Sequence, residues 1–196
     1  MNTNFPNLIN KDGVVHYFGP IMNAEQIEYY FQELFQKVEW AQEKLLMYGK
    51  EITTKRKVAF YAEDSIAYTY SNSTKVGLPF TPLLNDIRSM VAKITKSDYN
   101  ACLLNLYHDG SESMGWHTDN EKEIIPHSSI ASLSLGAERK FSFKHKNTKE
   151  TLSLILENGS LLEMAGVVQE HWLHSLPKTK KTNLPRINLT FRQMVS

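Results

Sequence analysis

The stretch Arg186-Ile187-Asn188-Leu189-Thr190-Phe191-Arg192 alternates polar and apolar residues without interruption. Because side chains alternate between the two faces of a strand, its apolar residues share one face and its two arginines share the other. Guanidinium groups keep their charge and bind carboxylates through paired hydrogen bonds. The stretch therefore predicts either a strand that lines a pocket for a small acidic ligand or an edge strand whose polar face meets water.

The same alternation appears in shorter segments upstream. It is seen in residues 101–107, 131–135, 141–143 and 152–156. Short alternating strands separated by turn residues predict a β-sandwich or a β-barrel. The polar run over residues 145–150 predicts the tip of a hairpin.

Two helices are expected ahead of these strands. Asn23, with Gln26 at the reciprocal position, is the expected N-cap of a helix over about 24–47. Thr81-Pro82 predicts the start of a second helix over about 82–95, because proline is tolerated in the first turn. Residues 50–80 mix basic, aromatic and small polar residues, which is typical of a lid over a substrate site.

Composition sets the class of protein. The chain has 196 residues, a net charge of +1 and one cysteine. That length favours a single domain over residues 1–196. No apolar run approaches the length of a membrane span, and the first six residues do not resemble a signal sequence. We therefore expect a monomer with no membrane partner, in a reducing compartment such as the bacterial cytoplasm, or in the nucleus if the source is eukaryotic.

A set of metal-ligand residue types stands out among the seven histidines. His117 and Asp119 are two residues apart, and His174 follows within Trp172–Pro177. Two imidazoles and one carboxylate form the facial triad of non-haem Fe(II) oxygenases, which leaves coordination positions open for other ligands. Zinc is the main competing metal for this set. His-x-Asp alone is a weak pattern, and the two arginines on the last strand strengthen it.

The arginines fit one co-substrate of such iron enzymes. If 2-oxoglutarate chelates the iron through its 1-carboxylate and keto oxygen, its distal carboxylate needs a cation of its own. Arg186 would supply that cation, and Arg192 could lie near the carboxylate on the metal side. Asn105 and Tyr107, on one face of the strand 101–107, could hydrogen-bond the co-substrate from the neighbouring wall.

Several motifs together resemble the AlkB family of Fe(II)/2-oxoglutarate dioxygenases. They are Asn105-Leu106-Tyr107, Asp109-Gly110, Gly115-Trp116-His117-Thr118-Asp119-Asn120-Glu121, Ile130–Ala137, Gly159–Leu162, Trp172–Pro177 and Pro185–Arg192. The matches run in order from about Tyr48 to Arg192 and so cover most of the chain. Within the family, the sequence looks closest to the DNA-repair members of animals and their bacterial relatives.

The resemblance implies a fold and a set of site residues. The fold is mainly β with flanking helices: a double-stranded β-helix, or jelly roll, over about 101–192, preceded over about 1–100 by helices and a nucleotide-recognition lid. By resemblance the iron ligands are His117, Asp119 and His174. Arg186 pairs with the distal carboxylate of 2-oxoglutarate, helped by Tyr107. The further co-substrate contacts are Asn105, Asn188 and Arg192.

The implied activity is the oxidative demethylation of 1-methyladenine and 3-methylcytosine in DNA. It consumes O₂ and 2-oxoglutarate and releases formaldehyde, succinate and CO₂. A base in a duplex has to be extruded to reach the iron. By resemblance Tyr70 stacks on the extruded base opposite the ring of His117, Tyr68 hydrogen-bonds its edge, and Glu121 accepts from its exocyclic amino group. Asn120 departs from the second acidic residue of some relatives, which leaves the base preference open.

Two features near the DNA have alternative interpretations. Tyr48 matches the position of a hydrophobic finger that fills the gap left by the extruded base, or it is the last core residue of the first helix. Basic residues are clustered, and each cluster either binds phosphates or is a solvated loop. The clusters are Lys50, Lys55, Arg56 and Lys57; Arg139, Lys140, Lys144, Lys146 and Lys149; and Lys178, Lys180 and Lys181.

Three hypotheses remain open at the level of sequence. The first is demethylation of single- or double-stranded DNA. The second keeps iron and 2-oxoglutarate but replaces the substrate with RNA, a protein side chain or a small molecule. The third is a non-enzymatic jelly roll that binds nucleic acid or metal, and the complete triad with both arginines counts against it.

Overall fold

The computed structural model describes residues 5–47, 50–63, 66–70 and 73–195. Its strands are β1 Val14–Pro20, β2 Ala41–Met47, β3 Lys50–Ala62, β4 Ala67–Tyr70, β5 Ser73–Val76, β6 Ala101–Tyr107, β7 Met114–His117, β8 Ile130–Gly136, β9 Arg139–His145, β10 Thr151–Leu156, β11 Ser160–Ala165, β12 Trp172–Leu176 and β13 Arg186–Arg192. Its helices are α1 Ala24–Lys37, α2 Pro82–Thr95 and α3 Val168–His171. The strands predicted from alternation are confirmed as β6, β8, β9, β10 and β13.

Two antiparallel sheets form the body of the fold. The larger sheet has seven strands in the order β1-β11-β8-β13-β6-β3-β2, and the smaller has four in the order β10-β9-β12-β7. Strands β4 and β5 form a separate two-stranded sheet. From β6 to β13 the chain passes repeatedly between the two main sheets, as in a jelly roll. The predicted fold class, mainly β with flanking helices, is confirmed.

Strand β13 lies at the centre of the larger sheet, between β8 and β6. Its apolar residues Ile187, Leu189 and Phe191 are fully buried in a core that also contains residues of α1 and α2. Its polar residues are buried as well. A strand that is paired on both sides and buried on both faces cannot be an edge strand, so the solvent-facing alternative is wrong.

The first predicted helix is only partly right. Asn23 and Gln26 form the expected capping box, with Asn23 Oδ1 accepting from Gln26 N at 2.8 Å. The helix ends at Lys37, however, because Val38 adopts an extended conformation, and residues 41–47 form β2 instead. Pairing of β2 with β3 overrides the helical spacing of the apolar residues in this stretch. The second helix is confirmed, with Thr81 Oγ1 accepting from Leu84 N at its start.

Two further expectations concern the surface. The hairpin tip is confirmed, because β9 and β10 are antiparallel partners joined by a turn after His145. Among the helices that the structure describes, none combines the length and the apolar character needed to cross a membrane.

Candidate metal centre

His117, Asp119 and His174 come together between the two sheets. His117 is the last residue of β7, and the ladder pairs it directly with His174 on β12. Their Nε2 atoms lie 3.7 and 3.8 Å from Oδ1 of Asp119. The three candidate ligand atoms all lie within 4.8 Å of one another. These separations are too long for hydrogen bonds. The three candidate ligand atoms therefore converge without forming hydrogen bonds to one another.

The surroundings of the two histidines suit metal binding. His117 Nδ1 donates to the carbonyl oxygen of Gly115 at 2.8 Å, which leaves the Nε2 lone pair of the neutral ring facing Asp119. His174 is 3% exposed. Burial, with a smaller effect of His117, lowers the pKa of His174 to about 3. His174 is therefore neutral at physiological pH, which is the form that binds metal.

Asp119 is ionised in this setting. Burial alone would raise its pKa, but the positive charge of Arg192 outweighs burial and holds the pKa well below its usual range. Arg192 Nη2 donates to Asp119 Oδ2 at 2.7 Å, which leaves Oδ1 towards the histidines. The residues therefore fit a divalent cation: one fixed carboxylate and two imidazoles.

Arg186 is a buried cation in the same cavity. It is 2% exposed, and burial lowers its pKa to about 10. Its Nη2 donates to Ser134 Oγ at 2.9 Å, while its Nε has no hydrogen-bond partner. Within the described part of the chain it forms no ion pair. A buried charge without a counter-ion is unfavourable, so this position fits the carboxylate of an acidic ligand.

The other predicted co-substrate residues lie beside Arg186 because of strand register. Across the β13–β6 ladder, Arg186 is paired with Tyr107, and Asn188 with Asn105. Asn188 Nδ2 donates to Ser132 Oγ at 2.8 Å, and Asn105 Oδ1 has no partner among the described groups. One cavity is lined by all of the residues predicted for metal and co-substrate: His117, Asp119, His174, Asn105, Tyr107, Arg186, Asn188 and Arg192.

Two buried arginines were misassigned from sequence. Arg56 and Arg139 belong to clusters predicted to bind phosphates or to be solvated, yet they are 4% and 2% exposed. Arg56 lines the cavity, and Arg139 donates to the carbonyl oxygens of Glu112 and Pro177 at 2.8 Å. Alternation is the signal that could have found Arg139, since it shares its strand face with the buried Phe141 and Phe143.

The structure says less about the residues that are predicted to contact the base. Tyr68 and Tyr70 lie on β4, which pairs with β5. Tyr48 lies outside the described residues, and its role as a finger remains a prediction. Glu121 follows Asp119 on a loop and lines a neighbouring cavity together with Asn120 and Gln169. Its role in reading the base remains a prediction.

A second group of metal-ligand residue types consists of Asp12, His145 and His171, whose ligand atoms also lie within 4.8 Å of one another. His145 Nδ1 accepts from the main-chain N of Asn147 at 3.3 Å and of Thr148 at 3.0 Å. In the neutral ring the proton is therefore on Nε2, which lies 2.9 Å from Asp12 Oδ2. That hydrogen bond occupies the atom that would have to bind a metal.

Comparison with known proteins agrees with this geometry. Residues 13–192 match the model of the 2OG-Fe(II) oxygenase superfamily, and the chain belongs to this family. Such enzymes use iron and 2-oxoglutarate. Membership of this family therefore contradicts the hypothesis of a non-enzymatic jelly roll.

Individual relatives narrow the resemblance to AlkB proteins. The Mus musculus protein named DNA oxidative demethylase ALKBH2 is 40% identical over 84% of this chain and 74% of its own length. The Homo sapiens alkB homolog 3, named an alpha-ketoglutarate-dependent dioxygenase, is 30% identical over 95% of this chain and 72% of its own length. A solved structure named OsALKBH1 matches with a TM-score of 0.66 at 18% identity, covering 96% of this chain and 100% of that one, which supports the fold alone. The resemblance to the AlkB family is thereby confirmed.

Proposed function

We propose that this protein is a DNA oxidative demethylase acting on 1-methyladenine and 3-methylcytosine. The observation that carries the proposal is one cavity that contains both the converging His-Asp-His set and a buried arginine that has no counter-ion among the described residues. The substrate class is taken from relatives named DNA oxidative demethylase, which are 36–40% identical to this chain in three mammals.

The roles of the metal and co-substrate residues follow from their surroundings. His117, Asp119 and His174 would hold Fe²⁺. Iron with 2-oxoglutarate and O₂ supplies the oxidation of the methyl group, whose hydroxylated form sheds formaldehyde while the co-substrate ends as succinate and CO₂. Arg186 would bind the distal carboxylate, with Tyr107 beside it; the Tyr107 ring centroid is 5.4 Å from the guanidinium carbon.

Asn105, Asn188 and Arg192 would complete the co-substrate site. Asn105 Oδ1 is buried without a partner, and Asn188 is held by Ser132 and by the carbonyl oxygen of Leu133. Arg192 donates a hydrogen bond to Asp119. In this proposal it therefore orients the Asp119 carboxylate for the metal, in addition to any contact with the co-substrate.

The two histidines differ in a way that suits a base-binding role for one of them. The His174 side chain is 4% exposed, whereas that of His117 is 22% exposed. An extruded base could therefore reach the ring of His117 and not that of His174. Tyr70 would stack on the opposite face of the base, Tyr68 would bond its edge, and Glu121 would accept from its amino group. Methylation at N1 or N3 makes these bases cationic, which a carboxylate favours electrostatically.

The test is a mass-spectrometric assay of oligonucleotides that contain 3-methylcytosine, with Fe²⁺, 2-oxoglutarate, ascorbate and oxygen. Single-stranded DNA, duplex DNA and RNA of the same sequence are compared, because the DNA preference is part of the proposal. We expect loss of the methyl group from DNA by the wild-type protein and none by a His174→Ala variant.

Other outcomes separate the parts of the proposal. Conversion of 2-oxoglutarate to succinate with the base still methylated would retain the cofactor assignment and reject the nucleobase. Faster demethylation of RNA than of either DNA would reject DNA as the preferred substrate. A metal-loaded protein that converts neither compound would reject the enzymatic assignment altogether.

A further inference from the structure

Gln169 lies near the candidate metal centre, and neither the sequence motifs nor the resemblance gives it a role. It is on α3, the single helical turn between β11 and β12. Its Oε1 accepts a hydrogen bond from the main-chain N–H of Asp119 at 2.9 Å. The contact therefore joins the loop that carries Asp119 to the turn that leads into His174.

Asp119 needs a partner of this kind. Strand β7 ends at His117, and its ladder with β12 does not extend to Asp119. The main-chain N–H of Asp119 thus has no strand partner, although the residue is 6% exposed. A buried N–H without an acceptor is unfavourable. Gln169 supplies the acceptor, while Arg192 holds Oδ2 and leaves Oδ1 towards the histidines.

Gln169 is itself held in position. Its Nε2 lies 3.6 Å from Met164 Sδ, and its main-chain oxygen accepts from Lys146 Nζ at 3.0 Å. The preceding residue, Val168, is buried in the core. Because a main-chain N–H can only donate, the amide oxygen must be the atom that faces Asp119. The contact is therefore made by an ordered acceptor on an anchored turn.

We propose that Gln169 is a positioning residue for the metal centre, acting through the main chain of Asp119. The inference rests on the proposed role of Asp119 as an iron ligand. The same contact fixes the start of the loop that carries Glu121, which lines one cavity together with Gln169. Groups that orient metal ligands typically change metal affinity by 10- to 100-fold when they are replaced.

The experiment measures binding of Mn²⁺ alone to the full chain, by the electron paramagnetic resonance signal of the free ion. Gln169→Leu removes the acceptor at similar size, and we expect it to bind Mn²⁺ about ten-fold or more weakly. Gln169→Glu keeps an oxygen acceptor, so we expect it to retain most of the wild-type affinity. Asn7→Leu is the matched control, because Asn7 Oδ1 accepts from Val15 N at 2.8 Å in a part-buried site away from the metal centre.

Thermal unfolding with and without Mn²⁺ separates positioning from a merely structural role. Loss of a structural bond lowers both midpoints equally, as we expect for Asn7→Leu, whereas a positioning role reduces the rise that Mn²⁺ produces. Wild-type Mn²⁺ affinity in Gln169→Leu would overturn the proposal. If that variant does not fold, Gln169→Asn, whose amide is one methylene shorter, replaces it with the same expectation. A wild-type protein that binds no Mn²⁺ would instead reject the metal assignment of Asp119.

Discussion

The described part of the chain contains two sets of two histidines and one aspartate, and within each set the ligand atoms lie within 4.8 Å of one another. They are His117, Asp119 and His174 between the sheets, and Asp12, His145 and His171 at the hairpin end. Their composition is the same, and in both a histidine is almost fully buried. They differ in whether Nδ1 of a histidine donates or accepts a hydrogen bond. His117 Nδ1 donates to a carbonyl oxygen, whereas His145 Nδ1 accepts from two main-chain N–H groups.

This difference decides what each set can bind. Donation from Nδ1 leaves a lone pair on Nε2 of His117, and that lone pair faces Asp119 across a gap too long for a hydrogen bond. Acceptance at Nδ1 forces the proton onto Nε2 of His145, where it bonds Asp12. Proximity of ligand residue types is therefore insufficient to define a metal site, because the partner of the remote nitrogen fixes the tautomer.

Paired aspartate variants give the largest expected difference between the sets. Asp119→Asn removes the fixed anionic ligand, and we expect Mn²⁺ binding and demethylation to be lost. Asp12→Asn removes a carboxylate that only accepts a hydrogen bond, and we expect it to bind one Mn²⁺ per chain, as the wild-type protein does. Metal titration of the three proteins checks this. Binding of two ions by the wild-type protein, one of them lost in Asp12→Asn, would show that the second set is also a metal site.

The two sets also differ in whether a nearby cation has an acidic partner. A substitution of Arg186 tests this difference. Near the hairpin, Lys11 has an acidic partner, because its Nζ lies 3.6 Å from a carboxylate oxygen of Glu150. Arg186 has none with a negative charge in the described part of the chain. We expect Arg186→Met to raise the 2-oxoglutarate concentration needed for half-maximal activity by at least about 30-fold, since losing one partner of a buried charge pair costs about 2–5 kcal/mol.

Thermal unfolding supplies the control for that variant. Because the ligand-free protein loses an uncompensated buried charge, we expect its midpoint to stay level or to rise. Arg139→Met is the comparison, since Arg139 donates to carbonyl oxygens, which would lose their partners and lower the midpoint. An Arg186→Met protein with wild-type dependence on 2-oxoglutarate would remove Arg186 from the co-substrate site.

The sequence predicts much of this arrangement where a strand carries the information. Alternation in β13 and β6 places Arg186, Asn188, Asn105 and Tyr107 on facing positions, and the structure places them there. Prediction from the sequence fails where pairing with a distant strand determines the local structure. The apolar spacing after Lys37 fits a helix, but β2 pairs with β3. Neither the contact of Gln169 with Asp119 nor that of Asp12 with His145 leaves a local pattern, because each joins segments that are far apart in the sequence.

The smallest expected effect concerns the second set as a structural contact. His145→Gln replaces a ring that accepts from two main-chain N–H groups and bonds Asp12, and hydrogen bonds of this kind contribute about 1–3 kcal/mol when a buried partner is left unsatisfied. We expect the free energy of unfolding to fall by about that amount, measured by urea denaturation, with Mn²⁺ affinity unchanged. The loss arises because Asp12 holds the segment before β1 against the end of β9, while the carbonyl oxygen of Lys11, which accepts from Trp172 Nε1, holds it against β12. Faster hydrogen exchange confined to residues 7–13 and the hairpin turn would support this reading, and weaker Mn²⁺ binding without a change in stability would contradict it.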